Sequence, residues 1–108
     1  MSELQILPAV LHDVAEAARW YDEEGYFGLG DRFIGVFYSY VWHIKEHGKS
    51  YRIVHDSFRR AILKPFPYAL YFRYHHRWLI ISLVIHTARR PGTTRQLLRN
   101  RKSSTESE

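Results

Sequence analysis

The alternation of apolar and polar residues predicts a strand at the start of the chain, followed by a helix. Residues 4 to 6 place an apolar side chain on either side of a glutamine, which is typical of a short strand. Pro8 predicts the end of this strand or an edge position, because proline cannot donate a hydrogen bond to a neighbouring strand. Asp13 and Glu16 resemble a capping box, and the helical spacing of the apolar residues that follow predicts a helix over residues 13 to 24.

A second helix follows after a short connection that is rich in glycine. Glycines at positions 25, 28 and 30 bracket the connection, and apolar residues recur at helical spacing from Leu29 to Ile44. Gly48 predicts the end of this helix. Two helices joined so closely are expected to pack as an antiparallel hairpin.

Beyond Gly48 the pattern changes to that of strands, and three runs predict an antiparallel meander. The runs cover residues 57 to 64, 68 to 74 and 78 to 86, with prolines or a histidine-rich turn between them. The last run is almost wholly apolar, so we expect a central strand covered on both faces along part of its length. The predicted fold class is α+β, with an N-terminal strand, a helical hairpin packed on one sheet face and a three-stranded antiparallel meander.

Length and composition indicate one domain followed by a tail. The chain has 108 residues, of which 45% are hydrophobic and 16% aromatic, which is enough for one compact core. We expect this domain over residues 1 to 100. From Gly92 onward the chain is polar and basic, with Leu97 and Leu98 as its large apolar residues, and residues 101 to 108 are expected to be a disordered polar tail.

Composition also excludes several kinds of chemistry. Cysteine is absent, which excludes disulfides, thiolate metal sites and thiol catalysis. No apolar run reaches the roughly 20 residues that span a bilayer, and the first ten residues lack a signal pattern, so a cytoplasmic protein without membrane contact is expected. His43, Glu46 and His47 match a zinc-protease pattern, but no acidic third ligand follows before Asp56, so neither a metal nor another cofactor is expected.

The charged residues are separated by sign along the chain. Residues 1 to 56 hold nine acidic and five basic residues, whereas residues 57 to 105 hold eleven Lys or Arg and no Asp or Glu. Clustered cations attract phosphate and acidic protein surfaces. Isolated lysines and arginines are usually only solvated, but 49 residues without an acid favour a polyanionic or acidic partner.

Strand periodicity selects candidate residues within this basic half. Alternation places Arg60 and Lys64 on one face of the first meander strand, which we expect to face away from the helices. RNA can supply its own 2′-hydroxyl nucleophile, so cleavage without a metal requires cations at the phosphate and an acid–base group such as His86. An alternative role for His86 is structural, namely to satisfy a backbone group of the following loop. The candidate catalytic residues are Arg60, His86 and Arg89, and the candidate target- or nucleic-acid-binding residues are Lys64, Tyr71, Arg73, Arg90 and Arg95.

Several short motifs occur in a characteristic order between about residues 4 and 91. They read Ala17-Ala18-x-Trp20-Tyr21, Gly28-Leu29-Gly30-x-Arg32-Phe33, Arg60-Ala61-x-Leu63, Phe66-Pro67-Tyr68 and Val84-x-His86-x-x-Arg89-x-Pro91. Their order and spacing, together with the predicted order of elements, resemble the RelE/ParE family of toxins.

The resemblance implies the toxin half of a bacterial type II toxin–antitoxin pair, a class also described as plasmid stabilisation proteins. Such a toxin inhibits growth in the cytoplasm unless a cognate acidic antitoxin wraps its C-terminal segment around it, usually in a heteromeric complex. RelE-like members cleave messenger RNA on the ribosome. ParE-like members inhibit DNA gyrase and lack the ribonuclease residues.

Individual positions distinguish between these two activities. Arg60 matches a basic strand position of the RelE-type ribonucleases, and Arg89 matches the arginine just after their last strand. However, Ala69 replaces an expected arginine, Ile62 replaces a lysine, and the region around Arg95 lacks an expected tyrosine. The leading hypothesis is therefore a ParE-like or divergent gyrase inhibitor. The alternatives are a RelE-like, metal-independent and ribosome-dependent mRNA endoribonuclease, and a degenerate, non-toxic subunit that binds the antitoxin.

Overall fold

The computed structural model describes residues 2 to 106 and has an α+β architecture. The strand, the helical hairpin and the meander occur in the predicted order, but a short strand precedes the meander and a helix follows it. None of the helices in the described part is long and apolar enough to cross a membrane. The elements are β1 (Glu3–Ile6), α1 (Pro8–Glu24), α2 (Leu29–His47), a 3-10 turn (Gly48–Ser50), β2 (Ile53–His55), β3 (Phe58–Ile62), β4 (Tyr68–His75), β5 (Trp78–His86) and α3 (Pro91–Glu106).

The strands form one sheet in the order β1, β5, β4, β3, β2. β1 pairs in parallel with β5, which brings Leu4 opposite Leu79, and the pairs from β2 to β5 are antiparallel. β5 contacts α1 and α3, and its residues pack in two separate buried clusters. The prediction of an interior strand covered on both faces is therefore confirmed. The hairpin packs on one sheet face as predicted, and α3, a helix that the sequence did not predict, covers the other.

The hairpin of α1 and α2 covers the first face through its apolar stripes. Val14, Phe33 and Phe37 are buried and belong to one cluster with Leu70 and Phe72 of β4. These helix positions share a face because residues three or four apart lie above one another in a helix. The periodicity of the sequence was sufficient to predict this layer.

The connection between the two helices is fixed by Asp22. Its Oδ1 accepts hydrogen bonds from the backbone N–H groups of Gly28 at 3.1 Å and Gly30 at 2.8 Å. Gly28 has a positive φ of 98°, which costs little in a residue without a Cβ. The end of α1 therefore caps the start of α2.

α1 starts at Pro8, not at Asp13 as the sequence had indicated. A proline in the first helical turn loses nothing by lacking an N–H, and its fixed φ suits the helix. Asp13 lies inside α1, where its carboxylate accepts a hydrogen bond from the Val84 N–H of β5 at 3.1 Å. The capping-box prediction was wrong because a proline after a strand is compatible with both a strand end and a helix start.

α3 covers the sheet face opposite the hairpin. Leu98 is only 1% exposed and packs with Phe58, Tyr71 and Ile85 in a second buried cluster. This cluster uses the strand residues that alternate with those facing the hairpin. The sheet is therefore the middle layer of three.

Polar contacts hold the second half of α3 against the rest of the molecule. Arg101 donates hydrogen bonds to both carboxylate oxygens of Asp13, at 2.9 and 3.1 Å, and to the Ser82 carbonyl oxygen at 2.8 Å. Lys102 donates to Asp56 at 2.8 Å. The prediction of a disordered tail is wrong for residues 101 to 106, because these residues belong to α3. The sequence could not show this, since the partners that hold the helix are distant along the chain. Residues 107 and 108 of that prediction lie outside the described residues.

Candidate functional site

A cleft of about 240 Å³ lies between the sheet and the first turns of α3. Its floor is formed by four buried residues and is largely apolar. These residues are Ala69, Tyr71, Ile85 and Leu98. Its rim consists mainly of polar and basic side chains from β2, β3, the loop after β5 and α3. The lining residues are Val54, His55, Arg60, Ala69, Tyr71, Ile85, His86, Thr87, Arg89, Pro91, Thr94, Arg95 and Leu98.

The cleft brings together five of the predicted site residues from three separate parts of the chain. All three candidate catalytic residues line it. Two of the candidate binding residues line it as well. The five residues are Arg60, Tyr71, His86, Arg89 and Arg95.

Strand geometry explains why the meander contributes these particular side chains. Arg60 of β3 lies opposite Tyr71 of β4, and both line the cleft. Their neighbours Ala61 and Leu70 belong to the cluster under the helical hairpin. Alternation along each strand therefore directs Arg60 away from the hairpin, as the parity of the sequence had predicted.

The cleft is rich in positive charge. Arg60, Arg89 and Arg95 are exposed, and none of the described residues that line the cleft is an Asp or Glu. The first turn of α3 borders the cleft, and Thr94 donates its backbone N–H to the Arg90 carbonyl at 3.1 Å. The positive end of the helix dipole adds to the guanidinium charges. Guanidinium groups match the geometry of phosphate oxygens, so this arrangement is suited to binding a phosphate group.

His86 ends β5 and is held by two contacts. Its Nδ1 accepts the backbone N–H of Ala88 at 3.0 Å, and its ring meets the edge of Tyr68 with 5.1 Å between centroids. With Nδ1 accepting, the neutral ring carries its proton on Nε2. The structural role considered from the sequence is therefore present, and Nε2–H is the group that a ligand meets as a hydrogen-bond donor.

The other predicted binding residues lie outside the lining. Arg73 is 2% exposed and donates to the Thr105 hydroxyl at 2.7 Å, so it anchors α3 and does not reach a target at the surface. Lys64 is exposed just beyond β3, and Arg90 is exposed immediately before α3. The prediction that Arg73 binds the target is wrong, because strand alternation does not show that a later helix covers that face.

Three polar residues of the cleft were missed in the sequence. His55 ends β2, whose three residues are too few to show alternation. Thr87 lies in the loop after β5, and Thr94 lies in α3, where the polar composition had indicated a tail. Of these three residues, only Thr87 could have been predicted as a cleft residue, because it follows His86 within the Val84-to-Pro91 motif.

The turn between β2 and β3 is tied to α3 near the cleft. Asp56 has a positive φ of 53°, a conformation that aspartate tolerates better than most residues. The hydrogen bond from Lys102 is the main cause that lowers the pKa of the Asp56 carboxyl below its usual value. Asp56 is therefore ionised at neutral pH and fixes the turn that follows His55.

Two of the positions that depart from the ribonuclease pattern also line the cleft. Ala69 is 2% exposed in its floor and contributes no charge, while Arg95 contributes a guanidinium near the place where a tyrosine is expected. Ile62 is half-buried against the cluster under α3. The cleft is therefore cationic, and the groups of the RelE-type pattern are absent at these positions.

Comparison with protein-family models finds no match for this chain, and comparison with curated proteins finds no similar sequence.

Proposed function

We propose that this protein is the toxin of a toxin–antitoxin pair of RelE/ParE type, and that its cleft binds a phosphate group of a nucleic-acid target without cutting it. DNA gyrase engaged on DNA is the expected target. The observation that carries this proposal is the convergence of Arg60, Arg89 and Arg95 in one cleft at the start of α3, with no acid among the described lining residues.

The surroundings of the cleft favour binding of a phosphate over binding of a neutral metabolite. Three exposed guanidinium groups repel one another unless an anion lies between them. Each phosphate contact also releases counterions from a nucleic acid, which adds to affinity at low salt. The same charge accounts for the proposed neutralising partner, an acidic cytoplasmic antitoxin whose C-terminal segment covers this surface.

The chemistry of the cleft favours binding without cleavage. Ala69 leaves its part of the floor without a cation, and Arg95 is a poor general acid because a guanidinium does not release its proton in proteins. His86 presents Nε2–H, while Nδ1 is engaged by Ala88. An imidazole in this state donates a hydrogen bond but cannot accept a proton through Nε2.

The proposal is tested by inducing the chain alone in bacteria. We expect growth inhibition, altered DNA supercoiling and a DNA-damage response, with transcripts that remain intact by primer extension. The double variant Arg60→Gln, Arg89→Gln should relieve the inhibition because it removes two of the cleft cations, both at exposed positions. Arg77→Gln is the matched control, since Arg77 is exposed and pairs with Glu3 at 3.2 Å.

Three results would contradict parts of the proposal. Equal growth inhibition by the wild type and the double variant, at equal protein levels, would remove the cleft from the mechanism. No inhibition by any variant would overturn the assignment as a toxin and favour a degenerate subunit that only binds an antitoxin. Ribosome-dependent cuts in transcripts would overturn the proposal that the cleft binds nucleic acid without cleaving it.

The second candidate is a metal-independent endoribonuclease of RelE type. It is favoured by the presence of His55 and His86 in the same cleft as Arg60. Two imidazoles beside a phosphate are sufficient in principle for acid–base transfer during cleavage by the 2′-hydroxyl. Primer extension in the same induction experiment separates this candidate from the first.

A further inference from the structure

A second concavity of about 280 Å³ adjoins the cationic cleft. Ile85, His86 and Arg89 line both, so the two hollows lie next to each other across the end of β5. The wall of the second hollow differs from that of the first, because it is formed by α1 and carries acidic and aromatic side chains. Its lining residues are Asp13, Glu16, Ala17, Trp20, Tyr68, Leu83, Val84, Ile85, His86, Arg89 and Leu97.

Trp20 presents a flat aromatic surface in this hollow. Its side chain is on α1, 54% of the residue is exposed, and its ring is held edge-to-face by Tyr21 with 5.2 Å between centroids. Indole faces stack well on nucleobases, which all possess a π-face.

Glu16 adds a hydrogen-bond acceptor on the same side of α1 as Trp20, since the two residues are four positions apart. The Glu16 carboxylate is 57% exposed and faces His12 Nε2 at 3.3 Å. An exposed pair of this kind is weak, so Glu16 can exchange it for a ligand. Asp13 is different, because Arg101 and the Val84 N–H already engage its carboxylate.

Tyr68 of β4 also lines the second hollow, and its ring packs against Tyr21 of α1 with 6.0 Å between centroids. Burial raises the pKa of the Tyr68 phenol, so the hydroxyl stays neutral and keeps its proton at physiological pH. Leu83 and Leu97, which belong to the cluster on the α3 side of the sheet, add apolar surface to the lining. The hollow therefore combines an aromatic face, apolar surface next to polar groups, and one exchangeable carboxylate.

We propose that the second hollow is a nucleobase subsite, which holds the base next to the phosphate in the cationic cleft. Trp20 stacks on the base, and Glu16 accepts hydrogen bonds from N–H groups on its edge. Guanine fits best, because its adjacent N1–H and N2 amino donors match the two oxygens of one carboxylate. The proposal rests on the proposed binding of nucleic acid in the cleft and adds a preference for unpaired guanine.

A nucleotide fits this composite surface better than a peptide does. An acidic peptide would bring carboxylates close to Glu16, and a basic peptide would bring cations close to Arg89. A nucleotide carries its negative charge on the phosphate and neutral N–H donors on the base. It therefore matches a cationic cleft next to a hollow that contains a carboxylate.

The test is a titration of purified protein with labelled single-stranded pentanucleotides, followed by fluorescence anisotropy. The probes are d(TTGTT), the same sequence with inosine or thymine at the centre, and the same sequence with an abasic centre. We expect the guanine probe to bind most tightly. Trp20→Ala should weaken its binding about tenfold, as for the loss of one stacked base, and leave the abasic probe unchanged.

Two further variants define the contribution of each contact. Glu16→Gln should remove the preference for guanine over inosine, which lacks the N2 amino group, while binding to the abasic probe persists. Trp42→Ala is the matched control, because Trp42 is 65% exposed on α2 and lies under Lys45 at 5.1 Å, outside both hollows. It should change none of the affinities.

The outcomes separate the subsite from the proposed function. If all four probes bind equally, and binding requires Arg60 and Arg89 but not Trp20, the phosphate cleft stands and the base subsite is overturned. If no probe binds, both fail. If Trp20→Ala leaves oligonucleotides unaffected but abolishes capture of the cognate antitoxin, the hollow is a protein-docking site and the base subsite is likewise overturned.

Discussion

Five arginines of the basic half fall into two groups according to burial. Arg73 and Arg101 lie under or within α3, and each has a hydrogen-bond partner, because a buried charge without one is costly. Arg60, Arg89 and Arg95 are exposed around the cleft. The sequence presents all five as the same residue type in the same acid-free run. Only their surroundings distinguish structural arginines from those that can meet a ligand.

At the residue scale, His86 provides the sharpest distinction between binding and catalysis. His86→Gln loses the ring contact with Tyr68 but keeps an acceptor for the Ala88 N–H and an amide N–H that can donate in place of Nε2–H. We expect His86→Gln to retain growth inhibition and phosphate binding. His86→Ala, which lacks both groups, should weaken binding of the abasic pentanucleotide about tenfold.

The measurement for His86 is the affinity of both variants by anisotropy, together with growth after induction. Retained folding is checked by circular dichroism. If His86→Gln binds normally but loses all toxicity, proton transfer by His86 is required, and the ribonuclease hypothesis replaces the binding hypothesis.

At the element scale, α3 is the part of the fold that completes the cleft. It supplies Thr94, Arg95 and Leu98 to the lining, while its second half is held by Arg101. The Asp13–Arg101 pair joins α1 to α3 across 88 positions of the chain, and the two side chains are only 16% and 15% exposed. α3 therefore depends on a long-range polar contact as well as on the apolar contact of Leu98.

We expect Asp13→Ala to destabilise the fold by about 3 kcal/mol, because it leaves the Arg101 charge partly buried and unpaired. Urea unfolding measures the free energy, and hydrogen exchange should show faster exchange within α3. Glu3→Ala removes the exposed partner of Arg77 and should cost less than about 1 kcal/mol. Equal losses in the two variants would show that the Asp13–Arg101 contact has no special role in holding α3.

At the scale of the whole molecule, charge and layer order coincide. The helical hairpin comes from the acidic half of the chain and covers one sheet face, whereas the cleft and α3 occupy the other face and most of their residues come from the basic half. The sheet separates most of the two sets, which meet at the Asp13–Arg101 and Asp56–Lys102 pairs. An approaching polyanion is therefore attracted to the α3 side.

This arrangement predicts the salt dependence of nucleic-acid binding. If the three cleft arginines each contact a phosphate, the logarithm of the affinity for single strands should fall with the logarithm of salt concentration with a slope of about −2. Arg60→Gln should make the slope shallower by about 0.7, and Arg77→Gln should leave it unchanged. Anisotropy titrations at several salt concentrations give these slopes. A slope near zero would mean that binding does not depend on phosphate contacts.

Much of the fold could be predicted because each element buries a regular stripe. The helical spacing in α2 and the apolar run of β5 record how each segment meets the core, whereas the alternation in β4 does not show that both of its faces are buried. The same regularity placed Arg60 and Tyr71 on the face that carries the cleft. The start of α1 and the strand β2 escaped prediction because a first-turn proline and a three-residue strand have ambiguous local patterns.

The sequence by itself determined the α+β order of strand, hairpin and meander, the separation of charge and the face on which Arg60 lies. Only the tertiary structure decided that α3 forms, that it buries Arg73, and that the cationic cleft lies next to a hollow lined by Trp20. The physical reason is the distance along the sequence between the residues that determine each feature. Periodicity reports the burial of one segment, whereas α3 depends on Asp13, Asp56 and Ser82, whose distance along the chain hides the contact until the layers have packed.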